Sequence, residues 1–256
     1  MSNFVFILML FFFNSILLIA LILSSINKKS PRRLLKFLFL PILLSLFVSL
    51  AIQFQLQLSE ISQRQLFANL MVILWCLKSF SGYKSIKATL FKEILLSIRD
   101  SIYKKKFFTI LFTVLKVSLI QIICFSSVFS LNYLSGYSSL NYLDILGIAL
   151  CISGISIEFI CERQIKNAKK KGDNLITTGL WSYLRHPNLA GLLLMFSGLH
   201  VLALSGVGSQ WSILGLMVTI LIINKKLIPE IERHLLTKYP EYQKKIDTMP
   251  KLFTAL

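Results

Sequence analysis

Residues Gly179–Gly191 read GLWSYLRHPNLAG, a basic, aromatic stretch wedged between two long apolar runs. Trp181 and Tyr183 are aromatics of the kind that settle at headgroup level. Arg185 is a fixed cation whose planar fork suits phosphate or carboxylate. His186 offers a hydrogen bond or a titrating proton. Pro187 fits the first turn of the next helix, which places Asn188 among N–H groups that have no intrahelical partner. A positive helix end beside an arginine is an anion site. A second reading stays open on physics alone: Arg185, Trp181 and Tyr183 anchor the helix at the interface.

The residues around this stretch are scaffold. The chain of 256 residues is 55% hydrophobic and 15% charged, with a mean hydropathy of +0.71. That balance belongs to multi-pass membrane proteins. The net charge of +17 therefore reflects loops held on the cytoplasmic side and facing anionic headgroups, not nucleic acid. Cys76, Cys124, Cys151 and Cys161 lie in or beside apolar runs without CxxC or Cys/His spacing, so packing is their expected role.

Apolar runs at residues 4–23, 38–56, 66–80, 107–133, 142–161, 187–204 and 211–227 predict an all-α integral membrane protein of about seven transmembrane helices. No Lys or Arg precedes the first run, and Lys28, Lys29, Arg32, Arg33 and Lys36 follow it. It therefore reads as a permanent helix rather than a signal peptide. Counting seven spans puts each basic cluster on one side, with the N-terminus outside and the C-terminus cytoplasmic. Between residues 83 and 106, apolar residues at helical spacing among lysines predict an amphipathic helix on the cytoplasmic face. Lys116, inside the fourth run, lies close enough to the cytoplasmic edge to snorkel. No repeat or independent soluble domain interrupts residues 1–256, which form a single membrane domain.

His200 is expected to be a packed core residue, and His234 either a solvated one or a cofactor contact. No metal site, P-loop, GxGxxG or Ser-His-Asp arrangement is present at recognised spacing, which excludes a soluble Rossmann cofactor fold.

RHPN followed by Gly191 resembles the RHPNYxGE signature of a widespread bacterial membrane family related to steroid 5α-reductases. GLWSYLRHPN is similar to that family's GLWRYSRHPN. Upstream, Glu158, Glu162 and Gln164 in IEFICERQ resemble its E-x3-D-x-Q run. Downstream, Ile228, Pro229, Glu232, Leu235, Pro240, Tyr242 and Pro250 match its tail. The likeness covers residues 140–256, and residues 1–133 form a divergent N-terminal set of helices.

The resemblance implies a seven-helix membrane reductase with a cytoplasmic NADPH site, reducing a C=C bond of a lipophilic, steroid- or enone-like substrate that arrives from the bilayer. It implies cofactor contacts at Glu162, Gln164, Trp181, Tyr183, Arg185, His186, Asn188 and Glu232, and a bacterial inner membrane rather than the endoplasmic reticulum. Two positions depart from the signature: Leu189 stands where the family has Tyr, and Leu192 where it has Glu. Isoprenylcysteine and phospholipid methyltransferases share RHPxYxG, with S-adenosylmethionine as cofactor, and form the alternative. A non-catalytic membrane scaffold is the third reading. Asn188, the LWSY lead-in and the Glu162/Gln164 run favour the reductase.

The topology is checked by Gly172→Cys, which is expected to react with an impermeant thiol reagent only from the cytoplasmic side; outside labelling would defeat the seven-span arrangement.

Overall fold

The computed structural model describes residues 12–16, 47, 62–81, 107–134, 139–171, 175–206 and 209–252. The expected spans at 4–23 and 38–56 lie outside these residues except at 12–16 and 47, and the amphipathic segment at 83–106 lies outside them altogether. The described residues are helical, with no strand among them. In chain order the helices are α1 (Gln63–Ser81), α2 (Phe107–Cys124), α3 (Ser126–Leu134), α4 (Tyr142–Lys171), α5 (Pro187–Leu204), α6 (Ile213–Ile222), α7 (Ile228–Lys238) and α8 (Tyr242–Thr248).

Three continuous helical runs are long and apolar enough to cross a bilayer: Tyr142–Ala168, Pro187–Leu204 and Gln210–Lys238. A fourth is reached if the pair Leu111–Cys124 and Ser126–Tyr133, bent by 65°, crosses as one unit. The expected span at 107–133 is thus helical but bent into two pieces. The bend falls at Phe125, between the two helices. Ser126 donates to the Ser212 carbonyl, 3.3 Å away. The expected span at 66–80 is helical, yet its polar residues keep it out of the apolar set. Arg64, Gln65 and Asn69 in α1 are turned inward and buried.

The most extensive packing among the described helices joins α4 and α5. A Cβ on Gly154 would lie 2.5 Å from the Gly191 carbonyl oxygen, and one on Gly198 2.6 Å from the Gly147 oxygen. Each helix carries its two glycines seven residues apart, so the antiparallel pair meets backbone to backbone at two levels. Four residues beyond Gly154 is Glu158, and four before Gly191 is Pro187. The carboxylates of α4 are therefore level with the head of α5.

At the opposite end of α4, Asn141 accepts from the Leu143 N–H (2.9 Å), while its own N–H donates to Asp144 (2.8 Å), a reciprocal cap. Asp144 also receives both arms of the buried Arg64, at 2.6 and 2.8 Å. Gln65 donates to the Leu131 carbonyl, and Asn69 exchanges bonds with Asn132. These contacts tie α1, α3 and α4 together where their polar groups would otherwise meet lipid. Lys116 is exposed on α2, the position a snorkelling lysine takes. The four cysteines are free, three of them buried.

α4 runs ten residues past its expected end at Cys161, because Glu162–Lys171 contains no Gly or Pro and buries a face of Ile165 and Ala168. Thirty residues span about 45 Å against a hydrocarbon thickness of about 30 Å, so the last turns stand clear of the membrane.

Gly154→Ala is expected to force α4 and α5 apart and to destabilise the protein by about 1–3 kcal/mol. Thermal unfolding in detergent measures this, and a change no larger than an exposed surface substitution gives would contradict the close approach.

Candidate functional site

The site begins at a glycine. Gly179 has φ +67°, a left-handed conformation that side chains resist. A Cβ there would also lie 2.2 Å from Nε2 of Gln164, so any side chain would displace the Gln164 amide as well. One short 3-10 turn, Gly179–Ser182, then delivers the chain to Arg185 and His186. His186 precedes α5, and Pro187 occupies its first turn. Arg185 and His186 donate their backbone N–H groups to the carbonyls of Pro250 (3.0 Å) and Lys251 (3.3 Å). The segment after α8 is thereby laced onto the motif.

Glu232 of α7 meets both side chains. Its Oε1 lies 3.0 Å from Nη1 of Arg185 and 3.0 Å from Nε2 of His186. The His186 contact is a hydrogen bond. The Arg185 contact is a charge attraction without hydrogen-bond alignment, since Nε and Nη1 of Arg185 have no hydrogen-bond partner among the described residues. Arg185 is 6% exposed and His186 2%. Burial lowers the His186 pKa, and the nearby Glu232 carboxylate offsets part of that fall.

Trp181 is buried against Cys161 and Ile165. Lys245 of α8 holds its ammonium 5.6 Å from the Trp181 ring centre and donates to the Ile176 carbonyl at 2.9 Å. Burial brings the Lys245 pKa down to about 8 and pushes the Tyr242 phenol up. The buried atoms without a hydrogen-bond partner include Trp181 Nε1, Gln164 Oε1 and the Tyr242 hydroxyl, together with Nε and Nη1 of Arg185. These belong to α4, the Gly179 turn with the segment after it, and α8.

A second polar group lies alongside. Lys78 of α1 reaches Glu158 and, at 2.9 Å, Glu162 of α4. One cation is shared by two carboxylates at the level of the α5 head.

The eight residues expected at a cofactor site therefore separate. Arg185, His186 and Glu232 touch one another. Trp181 and Asn188 are buried beside them in sequence, Gln164 is half-buried against the Gly179 turn, and Glu162 joins Lys78. Tyr183 is 75% exposed and belongs to none of these groups. Interface anchoring suits Tyr183, whereas burial removes Trp181 and Arg185 from that role. Lys78, Tyr242 and Lys245 were missed. Lys78 is a charge at the end of an apolar run, a signal that was available; Lys245 is hidden among the other basic residues of the tail.

His200 is buried and bonded to Ser212 at 2.9 Å, as a core histidine should be, and His234 is exposed. Glu230 pairs with the exposed Arg233 and is not part of the site. Leu189 and Leu192 lie in the main apolar core, so neither contributes polarity at the α5 head. Among the described residues no group of His, Cys, Asp and Glu could hold a metal ion.

A family model, DUF1295, described as a protein of unknown function, matches residues 41–248. The chain belongs to this family. No curated protein matches the chain, and no solved structure does. In this DUF1295 chain the matched region takes in α1 to α8 and every side chain of the polar groups just described.

Because the folded pKa of His186 lies below its unfolded value of about 6.5, the unfolded chain binds more protons in the window between the two. The contribution of this group is thus constant above pH ~6.5 and destabilising as pH falls through that window. Thermal midpoints are expected to drop below pH ~6.5, with His186→Gln flattening the drop; equal slopes for both proteins would rule His186 out as the cause.

Proposed function

We propose that this protein is a membrane-embedded, NADPH-dependent reductase of a C=C bond in a lipophilic substrate, akin to the steroid 5α-reductase-like proteins that its motif resembles. The observation that carries the reading is the buried excess of cationic donors at the head of α5. Arg185 faces one carboxylate, Glu232, and Lys245 is buried on the Ile176 carbonyl and the Trp181 ring, while Nε and Nη1 of Arg185, Trp181 Nε1 and the Tyr242 hydroxyl have no acceptor among the described residues. Buried charge is tolerated when it is paired, and buried donors when they are bonded. A phosphate-bearing dinucleotide supplies both the missing charge and the missing acceptors.

The residues present fit such a group. Arg185 would hold a phosphate with its planar fork, and the positive end of α5 would add the Asn188 N–H. Tyr242, Trp181 and Gln164 would complete the hydrogen bonds, with Lys245 as a second cation. The bound cofactor supplies the hydride that the reduction needs. Glu232 orients Arg185 and His186 together, and burial favours the neutral imidazole. The Pro250 and Lys251 carbonyls hold the tail against the motif and keep water out.

S-adenosylmethionine fits the same groups less well. It brings one carboxylate together with an ammonium and a sulfonium. The carboxylates able to receive such cations, Glu158, Glu162 and Glu232, are already engaged by Lys78, Arg185 and His186.

Thermal stabilisation of the detergent-purified protein tests this directly. NADPH at about a hundred times its Kd should stabilise the fold by about 2.7 kcal/mol, and S-adenosylmethionine should not stabilise it. Arg185→Lys should weaken NADPH binding at least about tenfold, because the ammonium loses the two-pronged contact. Stabilisation by S-adenosylmethionine alone would replace the reductase with a methyltransferase, and a response to neither would leave a scaffold.

A further inference from the structure

The helical run that carries Glu232 is not a regular α-helix. Between α6 and α7, Ile223–Leu227 form one widened π-turn, and the Ile228 N–H bonds the Ile223 carbonyl five residues back. Pro229 follows immediately. In an unbroken α-helix its ring would collide with the Lys225 carbonyl, and its nitrogen would leave that carbonyl without a donor. Admitting one extra residue to the preceding turn relieves the clash. Asn224 supports the widened turn by donating its side-chain amide to the Ile220 carbonyl at 3.1 Å.

An extra residue in a turn has a geometric consequence downstream. Each α-helical residue advances about 100° around the axis, so the π-turn sets back everything after it by that angle. In a straight helix of the same sequence, the place now held by Glu232 would fall to Ile231. An isoleucine would then meet the buried Arg185 and His186, and the guanidinium would lose its carboxylate. Ile228 and Ile231 now point into the apolar core, and Glu232 lies against the motif.

We infer that Pro229, by enforcing the π-turn at Ile223–Leu227, is the positioning residue that aims Glu232 at Arg185 and His186. The inference rests on the contacts within the chain and holds whichever ligand the site takes.

A double-mutant cycle on the unliganded, detergent-purified protein tests it. Pro229→Ala, Glu232→Gln and the double variant are compared by thermal midpoint, and the His186 ring is followed by NMR against pH. If Pro229 acts through Glu232, Pro229→Ala lowers the midpoint in the native background. In the Glu232→Gln background it then has less than about half that effect. The His186 titration should also shift alike in the two single variants, a response that a general loss of packing would not give. Deleting Asn224 in the Pro229→Ala protein removes the extra residue and restores the register, so the midpoint and the His186 titration should return. Additive effects, an unchanged Pro229→Ala protein, or a deletion variant that fails to recover would each overturn the inference. If Pro229→Ala alone does not fold, recovery by the deletion still decides the matter. Because no readout uses NADPH, failure here leaves the reductase reading untouched, and failure of that reading leaves this one untouched.

Discussion

The contact on which this structure depends is the backbone-to-backbone meeting of α4 and α5 at Gly147, Gly154, Gly191 and Gly198. In lipid, helices gain little from hiding apolar side chains, because the solvent is as apolar as they are. Close approach of backbones supplies the packing instead. Two glycine levels, seven residues apart on each helix, also set the register of the pair. That register brings Glu158 level with Pro187 and holds the polar end of α4 beside the RHPN segment. Without it the carboxylates of α4 and the cations of the motif would be unrelated features of two spans.

Around that pair the polar residues divide into three charge groups. Arg64 and Asp144 neutralise each other at one end of the bundle, where Gln65, Asn69 and Asn132 use up the remaining donors. Lys78 lies between Glu158 and Glu162 at the other end. Only the group at the α5 head keeps cations in excess and donors without acceptors among the described residues. The first two groups engage their cations fully, whereas the third keeps donors that no described residue takes up.

The legible part of the fold was what local chemistry controls. Runs of apolar residues marked the helices at 142–161, 187–204 and 211–227, and Pro187 marked the start of α5. The kink at Phe125 was missed because a neighbouring helix lies against it: a Cβ on Gly215 would lie 2.2 Å from the Ile123 carbonyl, so α6 packs onto the bend. The polar character of α1 was visible but its meaning was not, since Arg64 finds Asp144 eighty residues away. In the site, Arg185, His186 and Glu232 were expected on one cofactor and are found in direct contact. Tyr183 was grouped with them on residue type and instead faces outward.

The sequence by itself determined that several segments are apolar enough to cross a membrane, which segments are helical, and which short segment sets basic residues at a helix start. Those properties follow from side-chain hydropathy, helix-start residues and glycine, each of which acts within a few residues of chain. Tertiary structure alone decided which polar groups are paired and which remain buried with unused donors. Pairing depends on register between helices distant in sequence. It leaves no periodic trace in the chain, because it is a property of distance in space.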